Sequence, residues 1–592
     1  MADNKSLTIN SRFAEAVRKY PDQSALTAKI DKEWKSFTFR EMEDRIRRFS
    51  LGLRALGITP GDRVAVLSEN RPEWAIADLA SLAAGATTVP IYPSLPPAQV
   101  GYILADSGAK AIVASDAKQL EKAEVSREQC LNLTIFVAME ESSAKGDILS
   151  YDQVMKEGDS SKLDTTYEDV RDNVKPEDVA SFVYTSGTTG DPKAAMLTHG
   201  NLVSEIAAAE SILPFKKPFD VFLSFLPLSH VFERVTYYLA LSMGTNTYYA
   251  ESLFKVQENM AEAHPDIMQS VPRLYESIYE RVRDQAAKAP EKKKRIFDWA
   301  MAVGQKRAER KNTGRMVGPI LAIQHVIADM LVLSKIRDRF GGKIRFFVSG
   351  GAPLSADVAR FFHAIDTPIL EGYGLTETCA ALTLNPYGRT KIGTVGKPLP
   401  GLEIKIASDG EILGRGPTIM KGYWNKPEAT AEVIDSDGWF HTGDIGEIDE
   451  DGYLKITDRK KDIIVLANGK NVAPQPIENR LKAADLVSEV ILLGDRSGTV
   501  SALIVPNYEK LARWAKKENI AFTDAKELAN SAMAKKEIKS EIDALSKDLA
   551  DFEKIRKIAL LDHPLSIENG ELTPTLKVRR KIVREKYGSL LE

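Results

Sequence analysis

Val179-Ala-Ser-Phe-Val-Tyr184 runs directly into Thr185-Ser-Gly-Thr-Thr-Gly-Asp-Pro-Lys193, and this junction decides the reading of the chain. The first six residues have the apolar, β-branched and aromatic character of a buried strand. The nine that follow are dominated by Gly, Ser, Thr and Lys, the residue types that wrap a polyphosphate. Glycine lets backbone approach a ligand closely, exposed N–H groups and hydroxyls donate to phosphate oxygens, and lysine adds a point charge. A strand feeding such a loop is the usual setting for phosphate binding in an α/β protein. The loop is not of Walker A type, because the position five residues after Gly187 holds Pro192 instead of glycine. A plain Ser/Thr/Gly surface turn has the same composition, and the flanking sequence has to separate the two.

Working outward, the first half alternates β-branched runs with helical patterns. Arg63–Leu67, Ala111–Ala114 and Val221–Phe225 are expected strands, and Arg40–Leu56 and Ala75–Ala84 expected helices. That alternation predicts an α/β fold of doubly wound sheets. From Lys391 to Asp458 the pattern changes to short strands with Gly, Pro and Asp turns, which suggests a small β-barrel or distorted sheet. Beyond Arg459 the chain reads as α+β, with strands at Ile491–Leu493 and Ala502–Val505 and a polar helical stretch over about 525–551. The expected division is an N-terminal domain over 1–458, containing the β-rich subdomain 391–458, and a C-terminal domain over 459–592.

A chain of 592 residues is too long for one core. With 43% hydrophobic and 28% charged residues it has the composition of a globular protein. A net charge of −3 provides no global field for nucleic acid. Two cysteines, Cys130 and Cys379, provide neither a disulfide framework nor a zinc spacing and suit a reducing compartment. The first residues lack a signal-type apolar run, so a cytoplasmic location is expected, peripheral at the inner face of a membrane as an extension of that reading. The apolar window Met316–Leu333 contains Gln324, His325 and Asp329, which makes it a poor membrane span and a buried or interfacial helix. Basic clusters at Lys292–Arg295 and between Lys306 and Arg315 read as solvated helix faces or as attraction to anionic lipid headgroups.

Further segments fall at expected strand ends and turns. They are Leu197-Thr-His-Gly-Asn201, Phe225-Leu-Pro-Leu-Ser-His230, Ser349-Gly-Gly-Ala-Pro-Leu354 and Tyr373-Gly-Leu-Thr-Glu-Thr378. Then come Gly438-Trp-Phe-His-Thr-Gly-Asp444, Asp458-Arg-Lys-Lys-Asp462, Gly469-Lys-Asn-Val-Ala-Pro474 and Leu572-Thr-Pro-Thr-Leu-Lys-Val-Arg579. Together with the opening loop this order resembles the adenylate-forming, AMP-binding superfamily over nearly the whole chain. Ser349–Leu354, the 468–478 segment and the length look most like its long-chain fatty acyl-CoA synthetases.

The resemblance implies a role for each matching position. Thr185, Ser186, Gly187, Thr188, Thr189, Gly190 and Lys193 would hold the β- and γ-phosphates of ATP. Thr376 resembles the hydroxyl donor to the α-phosphate and Glu377 the Mg²⁺ ligand, a hard oxygen of the right type. Read without the resemblance, Glu377 is a carboxylate at a helix N-terminus. Gly351, Ala352, Pro353, Tyr373 and Gly374 resemble the adenine slot. Asp444 resembles the acceptor of the ribose hydroxyls, with Arg459 a second ribose contact; an Asx-turn is the alternative for Asp444.

Lys577 resembles the lysine that bridges the substrate carboxylate and the α-phosphate, where an isolated lysine would be a surface charge. His230 resembles a wall of the carboxylate site, or is a satisfied core histidine. Lys461 matches the hinge about which the family's C-terminal domain rotates. Gly469 would leave room for the pantetheine arm of coenzyme A. Phe232, Tyr237, Tyr238 and Met243 are candidate acyl-pocket linings or plain core.

The implied activity is ATP-dependent ligation of a long-chain fatty acid to coenzyme A through an acyl-adenylate. Adenylation of a medium-chain or aromatic acid, or transfer to a carrier-protein thiol, is the alternative. A catalytically dead binding protein would be expected to lack Lys193, Glu377 or Lys577, and all three are present. No obligate protein partner is expected.

Overall fold

The computed structural model describes residues 7–185, 191–252, 254–467, 470–494, 499–566, 568–573 and 578–591. Two large, mostly parallel sheets carry the N-terminal part. The first has nine strands, ordered Lys397–Pro398, Thr383–Leu384, Ile369–Tyr373, Phe346–Ser349, Ile267–Ser270, Val221–Ser224, Asn246–Tyr249, Ser24–Ile30 and Glu33–Thr38. Its six inner strands, from Ile369–Tyr373 to Ser24–Ile30, are parallel, and antiparallel pairs close both edges. The second has seven strands and ends on Val179–Thr185 paired antiparallel with Lys193–Thr198. Crossover helices cover the sheets, which is why strands such as Arg63–Leu67 and Ala111–Ala114 read as unbroken apolar runs.

The expected β-rich segment forms a four-stranded antiparallel sheet, ordered Glu403–Ile406, Glu411–Arg415, Phe440–Ile448 and Leu454–Arg459. It is distorted by register shifts at 411/413 and 445/446. Ile412, Phe440 and Leu454 join the same hydrophobic cluster as the two large sheets. The C-terminal part has its own core, in which Leu492, Ala502, Ile504 and Ile558 of a three-stranded sheet pack on Leu511, Ile538 and Ile542. The helical stretch expected as one piece over 525–551 is two helices, Ala525–Asn530 and Ala532–Leu545. Ser531 separates them, its side chain accepting from Ala534 N as the cap of the second.

The two large sheets are tied together by charge. Arg234, on helix Val231–Ser242, reaches Asp78, on helix Pro72–Ala83, and its Nη1 donates to Ser181 Oγ at 2.5 Å. Asp78 also accepts from Tyr238 at 2.6 Å. The Arg234 and Asp78 side chains are 1% and 0% exposed, so each charge depends on the other.

Candidate active site

Strands Val221–Ser224, Ile267–Ser270, Phe346–Ser349 and Ile369–Tyr373 are parallel neighbours, so their carboxyl ends share one edge of the sheet. The loops carrying His230, Gly351 and Glu377 all leave from that edge, the usual place for ligands in α/β sheets. Gly351, Ala352 and Pro353 are exposed there, and Gly351 has φ of +82°, a conformation side chains disfavour. Phe232 packs beside this wall, its ring 3.4 Å from where a Cβ on Gly350 would sit.

Tyr373 ends its strand, and Gly374 begins a sharp turn. A Cβ on Gly374 would lie 1.8 Å from the Ala380 carbonyl oxygen, so only glycine fits. Thr376–Thr378 form one short helical turn, pinned by Leu375 N donating to Thr378 Oγ1 at 2.8 Å. Cys379 and Ala380 follow at φ of +59° and +99°. Two successive non-glycine residues in that region represent local strain, which marks functional turns more often than ordinary ones.

Glu377 is buried, and its Oε1 accepts the Tyr423 hydroxyl at 2.8 Å. Lys193 Nζ lies 5.2 Å from the centre of the Tyr423 ring, within cation–π range. The 420–424 segment explains this meeting. Lys421 N donates to Met196 O, Met196 N to Gly422 O and Trp424 N to Ala194 O, each at 2.9 Å, so the segment extends strand Lys193–Thr198. Met420 N donates to Glu377 O at 2.8 Å, closing the other side. Asn201, which caps helix His199–Ile212 with Thr198, also donates to Pro417 O at 2.7 Å and to Ile419 O at 2.9 Å.

Asp444 lies opposite Arg459 in the strand register, with Arg459 Nε 3.2 Å from its Oδ1. Its Oδ2 accepts the Tyr373 hydroxyl at 2.7 Å. Burial, with the charge of Asp444, pushes the Tyr373 phenol well above its usual range; burial, with Glu377, does the same to Tyr423. Both phenols therefore remain donors. Each carboxylate oxygen keeps a second lone-pair direction, so a ligand hydroxyl can share Asp444 with Tyr373.

Five of the predicted residues, Lys193, Glu377, Tyr373, Asp444 and Arg459, are thus brought into one line through the unpredicted Tyr423. Lys193 faces Tyr423, Tyr423 holds Glu377, Glu377 is four residues from Tyr373, and Tyr373 holds Asp444 beside Arg459. Thr376 is half-buried on the same turn. Thr185 sits opposite Lys193 in the strand pair. His230 caps helix Val231–Ser242, Nδ1 accepting from Phe232 N at 3.2 Å, so Nε2 carries the proton in the neutral ring. Lys461 is exposed in the turn just after strand Leu454–Arg459. Ser186, Gly187, Thr188, Thr189, Gly190, Gly469 and Lys577 lie outside the described residues. Leu572 and Val578, flanking the 574–577 segment, form an antiparallel bridge.

Of the candidate acyl-pocket linings, Tyr237, Tyr238 and Met243 are core residues, Tyr237 donating to Ala75 O at 3.1 Å. Sequence reasoning missed Tyr423 and the buried Glu233, whose Oε2 accepts from Gln269 at 2.6 Å and whose carboxyl is pushed up to about 7 by burial. Glu233 had a signal, as the lone acid in the apolar run after His230.

The family description "AMP-binding enzyme" matches residues 13–424, and "AMP-binding enzyme C-terminal domain" matches 461–592. The chain belongs to the AMP-binding enzyme family. Within it, the chain is 38% identical to the long-chain-fatty-acid–CoA ligase FadD15 of Mycobacterium bovis, covering 98% of this chain and 95% of the relative. It is 33% identical to the peroxisomal long chain acyl-CoA synthetase 7 of Arabidopsis thaliana, over 97% and 84% of the two chains. Two solved structures share the fold at 24% identity. The adenylation domain of a Mycobacterium chelonae carboxylate reductase superposes with a TM-score of 0.77, covering 98% of this chain and 90% of that one. A Mycobacterium tuberculosis fatty acyl CoA synthetase superposes with a TM-score of 0.63, covering 98% of both.

Magnesium is the metal the family resemblance implies, and the donor chemistry here suits it. Tyr423 engages Glu377 Oε1, and a carboxylate presents a second oxygen of the hard type Mg²⁺ takes.

Proposed function

We propose that this AMP-binding enzyme joins a long-chain fatty acid to coenzyme A at the expense of ATP, releasing AMP and pyrophosphate. The observation that carries the reading is the continuous line from Lys193 through Tyr423, Glu377 and Tyr373 to Asp444. It sets a cation at one end and a hydroxyl acceptor at the other, as a nucleoside triphosphate requires. The full-length likeness to FadD15 and to the Arabidopsis synthetase supports the choice of acid and thiol.

A carboxylate is a poor acyl donor because oxide leaves badly. In the first step a substrate carboxylate oxygen attacks the α-phosphorus, the bond to the bridging oxygen breaks, and pyrophosphate departs. Negative charge gathers on the α-phosphate, so the site's task is electrostatic. Lys193 would offset the β- and γ-phosphates, and Thr376 would donate to the α-phosphate. Lys577 would draw the two anions together. Asp444 and Arg459 would fix the ribose, and the 351–353 wall would take the adenine. Glu377 would hold Mg²⁺, which supplies Lewis-acid neutralisation of phosphate charge.

In the second step the coenzyme A thiolate attacks the acyl carbon, the acyl–oxygen bond breaks, and AMP leaves. The thiol needs space that Lys577 would occupy in the first step. Rotation of the C-terminal part about Lys461 would free that space and bring Gly469 to the pantetheine arm. Loss of pyrophosphate contacts would favour the rotated state.

The test is coenzyme A-dependent AMP formation across saturated acids of increasing chain length, with an aromatic acid and a carrier protein alongside. Highest kcat/KM on long chains with free coenzyme A is expected. Preference for the aromatic acid or the carrier protein would overturn the reading.

A further inference from the structure

Away from the cleft, helices Glu291–Asn312 and Pro319–Ala328 form an antiparallel hairpin, registered by Arg307 Nη1 at 3.4 Å from His325 Nε2. The second arm continues through a π-turn at Asp329–Leu333 into Ser334–Arg337. This arm is built inside out. His325, Ala328, Leu333 and Ile336 are buried in the protein. Most of its ionic groups also turn that way, Lys335 alone being exposed: His325 Nε2 is 3.0 Å from Asp366, and Asp329 pairs with Arg337 at 2.7 Å. The outward face carries Ile320, Ile323, Val326, Ile327, Met330 and Leu331, with Ile320 73% and Val326 66% exposed. Met316, just before the helix, is 89% exposed. Between 320 and 331, Gln324 is the one exposed polar side chain. A helix at a water-facing surface has the opposite arrangement.

The charge around this face is as unusual as its polarity. Residues 291–340 hold twelve Lys and Arg against five Asp and Glu, in a chain whose net charge is −3. Lys292, Lys293, Lys294, Arg295, Lys306 and Arg315 are all exposed. An apolar stripe on one arm of a hairpin whose other arm carries exposed cations matches the interface of an anionic bilayer, where side chains enter the headgroup region and cations meet lipid phosphate. A second copy fits poorly, since self-association would set a net positive surface against itself. Although Pro319–Phe340 is long and apolar enough to cross a membrane, Ala328, Leu333, Ile336 and Phe340 belong to a core cluster with Ala300 and Val303. Crossing would pull that core apart, so the arm can only lie along the surface.

We propose that the outward face of Pro319–Leu333, with its basic flank, docks the protein on the surface of an anionic phospholipid bilayer. The inference is independent of the acid and thiol proposed above.

Flotation of the full-length protein with phosphatidylcholine vesicles, with and without phosphatidylglycerol, tests it. Binding to the anionic vesicles, weaker on phosphatidylcholine alone and reduced by salt, is expected. The double variant Ile323→Asp/Ile327→Asp should lower vesicle binding about tenfold or more. Its activity on detergent-dispersed substrate and its circular dichroism should stay unchanged. Lys292→Ser/Lys293→Ser/Lys294→Ser should lose the salt-sensitive part of binding. Failure of the wild type to float, or equal flotation of wild type and the aspartate variant, overturns the proposal. So does a lipid-free dimer that the aspartate variant dissociates, which would assign the face to a second copy.

Discussion

The Tyr423 hydroxyl donates to Glu377 Oε1 at 2.8 Å across 46 residues of sequence, and the same phenol ring lies under Lys193. One residue thus sets the spacing between the proposed metal ligand and the proposed phosphate-binding cation. Tyr423→Phe removes the hydroxyl and keeps the ring. A hydrogen bond to a charged group contributes about 1.5–3 kcal/mol. Adenylation kcat/KM should fall about tenfold or more by the same reasoning. The Mg²⁺ concentration for half-maximal rate should rise, and the melting temperature should move little. An unchanged Mg²⁺ dependence would detach Tyr423 from the metal.

Asp444 accepts from Tyr373 and faces Arg459, so its carboxylate is already oriented before any ligand arrives. Asp444→Ala should raise the KM for ATP about tenfold or more with a smaller change in the KM for coenzyme A. Tyr373→Phe should give a weaker effect in the same direction, because it frees the carboxylate without removing it. Steady-state kinetics with each substrate varied separately distinguishes the two.

Lys577→Ala should abolish fatty-acid-dependent pyrophosphate exchange while sparing thioester formation from supplied acyl-adenylate. Loss of both half-reactions would mean that the lysine serves the fold or both steps alike.

Asp78→Ala strands the Arg234 guanidinium in the core. Removing one partner of a buried pair costs about 3–5 kcal/mol, which chemical denaturation should detect as an earlier midpoint. Replacing both residues together with apolar side chains should cost less than the single change.

Burial pushes the Glu371 carboxyl up to about 8 from an ordinary 4.5. Between these values the folded protein keeps a proton that the unfolded chain has lost, so this group makes stability fall as pH rises from 4.5 to 8. Glu371→Gln removes that dependence. The stability of the variant relative to wild type should climb across this window by a few kcal/mol, then level off. Burial lowers His199 and His363 to about 4 from 6.5. These groups act oppositely, costing stability as pH falls from 6.5 towards 4.

Strands Arg63–Leu67 and Ala111–Ala114 were readable to the residue because both faces are covered and the apolar run has no gap. Glu377 was nameable from its motif, because Tyr373–Thr378 carries the glycine and hydroxyls that make its own turn, whereas Asp444 sits inside strand Phe440–Ile448 and its partners Tyr373 and Arg459 come from other strands. Tyr423 was not nameable, since its meaning depends on the docking of 420–424 against strand Lys193–Thr198, a pairing that no local pattern announces. The break at Ser531 had a signal, a capping serine, that the polar helical texture on both sides obscured. Tyr237 and Tyr238 look the same in sequence whether they line a tunnel or fill a core. Composition likewise marked Met316–Leu333 as apolar, but which face looks outward is a fact of tertiary packing.

The strap formed by 420–424 bears on how the enzyme is made. A nascent chain emerging from the ribosome has no finished nucleotide cleft until its last quarter or so is being synthesised. Fragments ending before residue 420 should therefore acquire the two large sheets yet remain blind to ATP, and the strap would serve as a late checkpoint of correct assembly.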